Sequence, residues 1–272
     1  MQQAPFSYVQ VRTLNVKWRF TPCVKSFMTQ PLTLLFLVDA SNAFNNINRQ
    51  VTLLNILNLC PVIATVLINC YRGNAQLFVG GEVIFSKEGT TQGDPLAMVF
   101  FSLASVPLIR AVAVEATTQI WFADDAASGG RLNLLREWWD KLNPYGPIYG
   151  YFPKAVKTYL VVKPEKAADA ERIFHDTCVN ICETGKRYLG GTIGSALFQT
   201  EFVSNTIASW VKEVEGLTKV ANTQPHAAYA ALTHGLLGRW LYLIRVIDRS
   251  ANSLLQPLEE AIRTKLIPTL TG

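Results

Sequence analysis

Ile120-Trp121-Phe122-Ala123-Asp124-Asp125-Ala126-Ala127-Ser128-Gly129-Gly130 is the stretch that decides how this chain is read. Two adjacent carboxylates sit between apolar flanks. Upstream, Gln119 to Ala123 is bulky and mostly apolar and predicts a buried strand. Downstream, Gly129-Gly130 breaks the pattern. A strand, a tight turn carrying Asp124 and Asp125, and a second short strand satisfy all of this. Asp is a favoured turn residue, so a solvated hairpin tip would explain an isolated pair. Against an apolar floor, however, negative charge is costly unless it is paired or binds a cation.

A third carboxylate bears on that choice. Leu32 to Val38 is a continuous apolar run that ends at Asp39. A run of this length predicts a strand buried on both faces. If it neighbours the Asp-Asp strand, Asp39, Asp124 and Asp125 converge. Hard oxygen ligands of this kind suit Mg²⁺, which binds one or two protein carboxylates, waters and phosphate oxygens. Two such ions about 3.5–4 Å apart can activate a 3′ hydroxyl and stabilise a leaving pyrophosphate. That chemistry is nucleotidyl transfer.

Composition narrows the class. Of the 272 residues, 49% are hydrophobic and only 17% charged, so a core can form and extended disorder is not expected. The net charge of +5 is compatible with a nucleic-acid partner. Cysteines at 23, 60, 70, 178 and 182 are odd in number and form no disulfide framework, which implies a reducing compartment. His175, Cys178 and Cys182 lack the fourth ligand of a zinc site and read as ordinary thiols on a helix. No cleavable signal peptide is visible. The most apolar run, Met98 to Ile109, is too short for a bilayer, which takes roughly 20 residues. An intracellular protein is expected, in cytoplasm or nucleus, with no membrane partner.

Between the acidic stretches, residues 50–70 carry apolar positions at helical spacing: Val51, Leu54, Leu57, Val62 and Val66. Gln76 to Phe85, with Gly80-Gly81 at its centre, predicts a hairpin. Thr90 to Leu96 is a polar loop that delivers the chain to an apolar helix at about 96–114. A helix over Arg131 to Leu142 is expected to end at Asn143-Pro144-Tyr145-Gly146-Pro147. Lys157 to Lys163 reads as a strand and Lys166 to Cys178 as a helix. From about 200, Val203, Ile207, Trp210, Val214 and Leu217 recur at helical spacing. Two further helices, about 223–247 and 250–268, complete a small helical domain.

Five blocks of this sequence, in order, resemble the polymerase motifs of reverse transcriptases, particularly those of retrotransposons. They are Phe36-Leu37-Val38-Asp39 with Ala43-Phe44; Thr91-Gln92-Gly93-Asp94-Pro95-Leu96; Phe122-Ala123-Asp124-Asp125; Lys157-Thr158; and Tyr188-Leu189-Gly190. The resemblance implies an α+β fold: a palm, with an antiparallel sheet and packed helices, reduced fingers and a C-terminal helical thumb. Its divisions would be a residual fingers segment at 1–31, a palm at 32–195 with a fingers insert at about 45–92, and a thumb at 196–272. It implies an RNA-directed DNA polymerase domain using two Mg²⁺ ions, a role Mn²⁺ can also fill. Its partners would be an RNA or DNA template with primer, and dNTPs.

By position, Asp39, Asp124 and Asp125 would be catalytic and metal-binding. Phe44 would be the aromatic gate under the incoming sugar, leaving no room for a 2′ hydroxyl. Gln92 would lie against the nascent base pair, and Gly93 would permit close backbone approach. Lys157 would protonate or neutralise the leaving pyrophosphate, with Lys154 as a rival. The chain departs from the family at Asn45, where many members have Asp. Only 38 residues precede Asp39, so a truncated fingers region and impaired activity of the chain alone are expected. A catalytically inactive nucleic-acid-binding remnant and an RNA-dependent RNA polymerase are the alternatives.

Overall fold

Leu34–Val38 forms strand β1, and every residue of it is buried, as its unbroken apolar run dictates. The structure, a computed structural model, describes residues 34–91, 93–247 and 249–271. The expected segment 1–31 and Gln92 therefore lie outside the described residues. The chain divides into two units. The first takes residues to Leu160 together with Glu165–Ile181; the second takes Val161–Pro164 and Cys182–Gly272.

The first unit is built on a five-stranded sheet. β4 (Thr118–Phe122) and β5 (Asp125–Gly130) form a hairpin, and β5 also pairs antiparallel with β1. β6 (Tyr159–Val161) and β7 (Asn180–Cys182) complete the order β4-β5-β1-β6-β7. Gly129 and Gly130 do not break the second strand of the Asp-Asp hairpin as the sequence suggests. They pair with Leu35 and Leu34 on one side, and Gly129 with Thr118 on the other. A ladder on both edges holds the strand, and a Cβ on Gly130 would lie only 3.3 Å from the Thr117 side chain. Small residues are needed here because large rings fill the adjoining face. Phe36 lies 6.0 Å from Trp138, 5.3 Å from Trp139 and 5.4 Å from Phe174, centroid to centroid.

Those rings come from two helices. The helix expected to stop at Leu142 instead runs from Leu132 to Ile148, through Pro144 and Pro147. Its buried side, Leu135, Trp138, Trp139, Leu142 and Gly146, carries it past the prolines. The Asn143 amide also donates to the Trp139 carbonyl at 2.9 Å. The helix after β6 is shorter than its sequence pattern, Ala167–Phe174, and Arg136 ties its end down by donating to the Ile173 carbonyl at 2.8 Å. The expected long strand from Lys157 shrinks to β6, because Ala155–Lys157 forms a 3₁₀ turn before it.

Between β1 and β4 the chain makes helices Ala43–Asn46, Arg49–Leu59 and Pro61–Tyr71, hairpin β2–β3 (Ala75–Val79, Glu82–Ser86) and helix Ala97–Ala111. The hairpin turns at Gly80-Gly81, both at positive φ, as the sequence predicts. The helical stripe read from the sequence falls on the wrong side. Leu54, Leu57, Val62 and Val66 are exposed, whereas Thr52, Ile56, Ala64 and Leu67 are buried. The segment 50–71 holds no charged residue, so polarity does not mark its outer face. Arg49, 5% exposed, anchors this insert. Its guanidinium donates to the carbonyls of Gly89 at 2.7 Å and Ser86 at 2.8 Å, and to the Ser86 hydroxyl at 2.9 Å.

The second unit opens with hairpin β8–β9 (Gly185–Tyr188, Gly191–Gly194) and a 26-residue helix, Ala196–Ala221, capped by the Ser195 hydroxyl. The predicted stripe holds here: Val203, Ile207, Trp210 and Val214 are buried. Pro225–Val246 and Gln256–Thr271 follow as helical stretches, each interrupted by a π-helical turn. Their Trp240, Leu243, Leu258 and Leu266 join the first helix in one core. Among the described residues no helix is long and apolar enough to cross a membrane.

Candidate active site

Asp39 follows the last residue of a central strand, and Asp124 sits on the tip of the hairpin beside it. The two β-ladders bring the strand ends that carry them together. Val38 pairs with Ala126 and Leu37 with Ala127, while Phe122 pairs with Asp125. Paired residues in an antiparallel ladder project to the same face, and alternate residues share it. Asp125 has the parity of Ala127, and Asp39 continues the parity of Leu37. Asp39 and Asp125 therefore fall on one side of the sheet.

The hairpin tip is strained. Ala123 has φ +52, in the left-handed region that disfavours residues with a Cβ. A two-residue turn with positive φ at its first position normally takes glycine there. The strain places Asp124 at the apex. Tyr151, 4% exposed, donates its hydroxyl to the Asp124 carbonyl at 2.9 Å, and its ring meets Trp121 edge-on at 5.2 Å.

An open cleft of about 250 Å³ is lined by Asp39, Ser41, Phe44, Asp124, Lys154 and Lys157, among others. Lys157 Nζ stands 3.5 Å from Asp39 Oδ2, an exposed pair that contributes little to stability. The Lys154 amide donates to the Asp39 carbonyl at 2.9 Å. Both lysines that the sequence left open thus line the cleft, and Lys157 is the one that meets the Asp39 carboxylate. Asp125 does not line the cleft. Burial, and then the charges of Asp124 and Asp39, push its carboxyl up to about 6. Its neighbours thus act on it as concentrated negative charge.

Phe44 stacks on Phe101 with centroids 4.3 Å apart. The polar loop from Glu88 is pinned beneath it: Thr90 N donates to the Phe44 carbonyl at 2.7 Å and Gly89 N to the Ile47 carbonyl at 2.9 Å. A Cβ at Gly89 would lie 2.2 Å from the Asn45 carbonyl oxygen, so only glycine allows this approach. Gly93 has φ +90 with open space where a Cβ would be. It is not among the residues lining the cleft. The carboxylate of Asp94 accepts from the Tyr71 hydroxyl and, at 2.8 Å, from Leu96 N. In the second unit, the Tyr188-Leu189-Gly190 turn is held by the Tyr242 hydroxyl, which donates to the Leu189 carbonyl. Arg239 of the helical region forms a bidentate pair with Glu213 at 3.0 and 3.2 Å.

Among the described residues no three His, Cys, Asp or Glu side chains gather closely enough to hold an ion by themselves. The cleft presents two carboxylates, Asp39 and Asp124, and two protein carboxylates can hold Mg²⁺ where waters and phosphate oxygens complete the shell. Sequence reasoning missed Tyr151 and Arg49. One signal pointed to Tyr151: the Tyr-Gly-Tyr-Phe-Pro run at 149–153, aromatic where a solvent loop would be polar.

No protein-family model and no curated protein matches this chain. Solved structures do. A telomerase from Candida albicans, in complex with a TWJ fragment of telomeric RNA, matches with TM-score 0.54 at 11% identity, over 94% of this chain and 43% of that one. An apo telomerase from Candida tropicalis matches with TM-score 0.50 at 11% identity, over 92% and 54%. The Candida tropicalis telomerase with the same kind of RNA fragment gives 0.50 at 13%, over 93% and 42%. The chain spans about half the length of the telomerases it matches. The likeness is one of fold: an α+β polymerase palm with a helical C-terminal region.

Proposed function

We propose that this chain is the RNA-directed DNA polymerase domain of a retroelement, adding deoxynucleotides to a primer on an RNA or DNA template. The observation that carries this reading is the convergence of Asp39 and Asp124 on one cleft bordered by Phe44, Lys154 and Lys157. Asp39 and Asp124 would hold Mg²⁺, with Asp125 completing the acidic site. Divalent ions bound there supply Lewis acidity to the 3′ hydroxyl and offset charge on the phosphates. Lys157, or Lys154 beside it, neutralises or protonates the leaving pyrophosphate. Phe44, backed by Phe101, excludes a sugar bearing a 2′ hydroxyl. Gln92 would lie against the nascent base pair, and Gly93 would permit close backbone approach.

The test is primer extension on RNA and DNA templates, with dNTPs or rNTPs. Asp124→Asn should cut extension at least about a hundredfold, more than loss of an outer-shell partner, while template binding survives. Phe44→Ala should raise ribonucleotide use relative to deoxyribonucleotide, because a steric rejection is removed. Wild-type extension with rNTPs alone would make the chain an RNA polymerase instead. Template binding without extension in any condition would make it a nucleic-acid-binding remnant.

A further inference from the structure

Residues 148–154 run as a strap along the segment that carries Asp39. Asn48 N donates to the Tyr149 carbonyl and the Asn48 side chain to that of Ile148, both at 3.2 Å. Ser41 N donates to the Phe152 carbonyl at 2.9 Å, Ala40 bridges Pro153, and Lys154 N reaches the Asp39 carbonyl at 2.9 Å. Gly150, at φ +81, lies so close that a Cβ would meet the Asn46 oxygen at 1.9 Å. The strap is thus sewn to one acidic segment along its length. From its middle, Tyr151 extends a hydroxyl to the main chain of the other, at Asp124.

That link falls where the sheet provides none. The β1–β5 ladder ends at Val38 and Ala126, and the hairpin ladder at Phe122 and Asp125. Ala123 and Asp124 lie beyond both, with Ala123 at an unfavourable φ. A conformation of that kind persists only when its surroundings over-determine it. We propose that Tyr151 is a positioning residue that sets Asp124 at the separation from Asp39 that a divalent cation requires. This rests on the metal-binding reading of the cleft.

The test is Mn²⁺ binding to the full chain without nucleic acid, followed by the electron paramagnetic resonance of free Mn²⁺, alongside thermal melting. Tyr151→Phe keeps the ring against Trp121 and removes only the donor. It should raise the half-saturating Mn²⁺ concentration roughly threefold to tenfold, the range of one lost hydrogen bond, and raise the Mg²⁺ requirement of extension in parallel. The melting temperature should fall by only a few degrees, about what one hydrogen bond contributes. A purely structural role would lower melting and leave Mn²⁺ affinity as it was. Unchanged affinity in Tyr151→Phe, with affinity lost in Asp124→Asn, would overturn this inference and leave the metal reading standing. Wild-type affinity in both Asp39→Asn and Asp124→Asn would overturn the two together.

Discussion

Two hairpins of the first unit are made of opposite material. β2–β3 carries Leu77, Phe78, Val79, Val83, Ile84 and Phe85, and all six are exposed. β4–β5 ends in Asp-Ala-Ala-Ser-Gly-Gly, and its Ala126, Ala127 and Ser128 are buried. The first turns on two glycines, which take positive φ freely; the second turns on Ala123, which does not. Hydrophobic content alone therefore does not decide burial. Position in the sheet does, because an inner strand is covered whatever its side chains, and a two-stranded ribbon is not. Strain is kept where the tip must present a carboxylate.

The largest expected effect tests that contrast through two phenylalanines. Phe36 is 0% exposed and Phe78 is 75% exposed. Phe36→Ala should cost about 3–5 kcal/mol in denaturant unfolding, whereas Phe78→Ala should stay within about 0.5 kcal/mol. Similar losses would break the comparison by showing that β2–β3 is covered in solution. Exchange of the turn residues gives a smaller effect. Gly81→Ala should destabilise its hairpin by about 1–2 kcal/mol, the cost of a left-handed residue with a Cβ, read as faster hydrogen exchange across β2–β3. Ala123→Gly should leave unfolding stability within about 0.5 kcal/mol, because relief of strain offsets added chain entropy. A large loss would mean that the Ala123 methyl is itself packed.

A pH-dependent effect sharpens the account of charge at the second tip. Asp125 titrates near 6 in the folded chain, above its ordinary value of 3.8. The folded state therefore binds more protons than the unfolded state between about pH 4 and 6, and stability falls as pH rises through that window. Asp125→Asn lacks this term. Its melting temperature relative to wild type should climb between pH 4 and 6 and level off above. A flat difference would show that neither burial nor the charges of Asp124 and Asp39 raise it.

The parts of this fold legible in the sequence were those where one signal acts alone. The β1 run, the Gly80-Gly81 hairpin and the Val203-Ile207-Trp210-Val214 stripe each follow from spacing or turn chemistry. The stripe through Leu54 and Val62 misled because an uncharged helix pair offers no polar face to orient it. Pro144 and Pro147 misled because buried contacts along the Trp138 face outweigh a local breaker. In the cleft, Asp39, Asp124, Phe44 and Lys157 were legible as residue types. Tyr151 was not, since its role depends on a hydroxyl reaching a carbonyl 27 positions earlier. Arg49 was not, because four of its acceptors are main-chain or hydroxyl oxygens 24 to 40 positions away.

The seam between residues 39–48 and 148–154 also bears on when the cleft forms. It joins Asn48 to Ile148 across 100 positions, so an entire insert, a hairpin and a long helix lie inside the closed loop. Contacts of that separation carry the full loop-closure entropy and follow local ones in time. The β2–β3 ribbon and the individual helices can form early, from neighbours in the chain. The cleft cannot. Asp39 and Asp124 acquire their fixed spacing only once the chain has been made through Lys154 and has folded back, which makes the acidic centre a late product of folding.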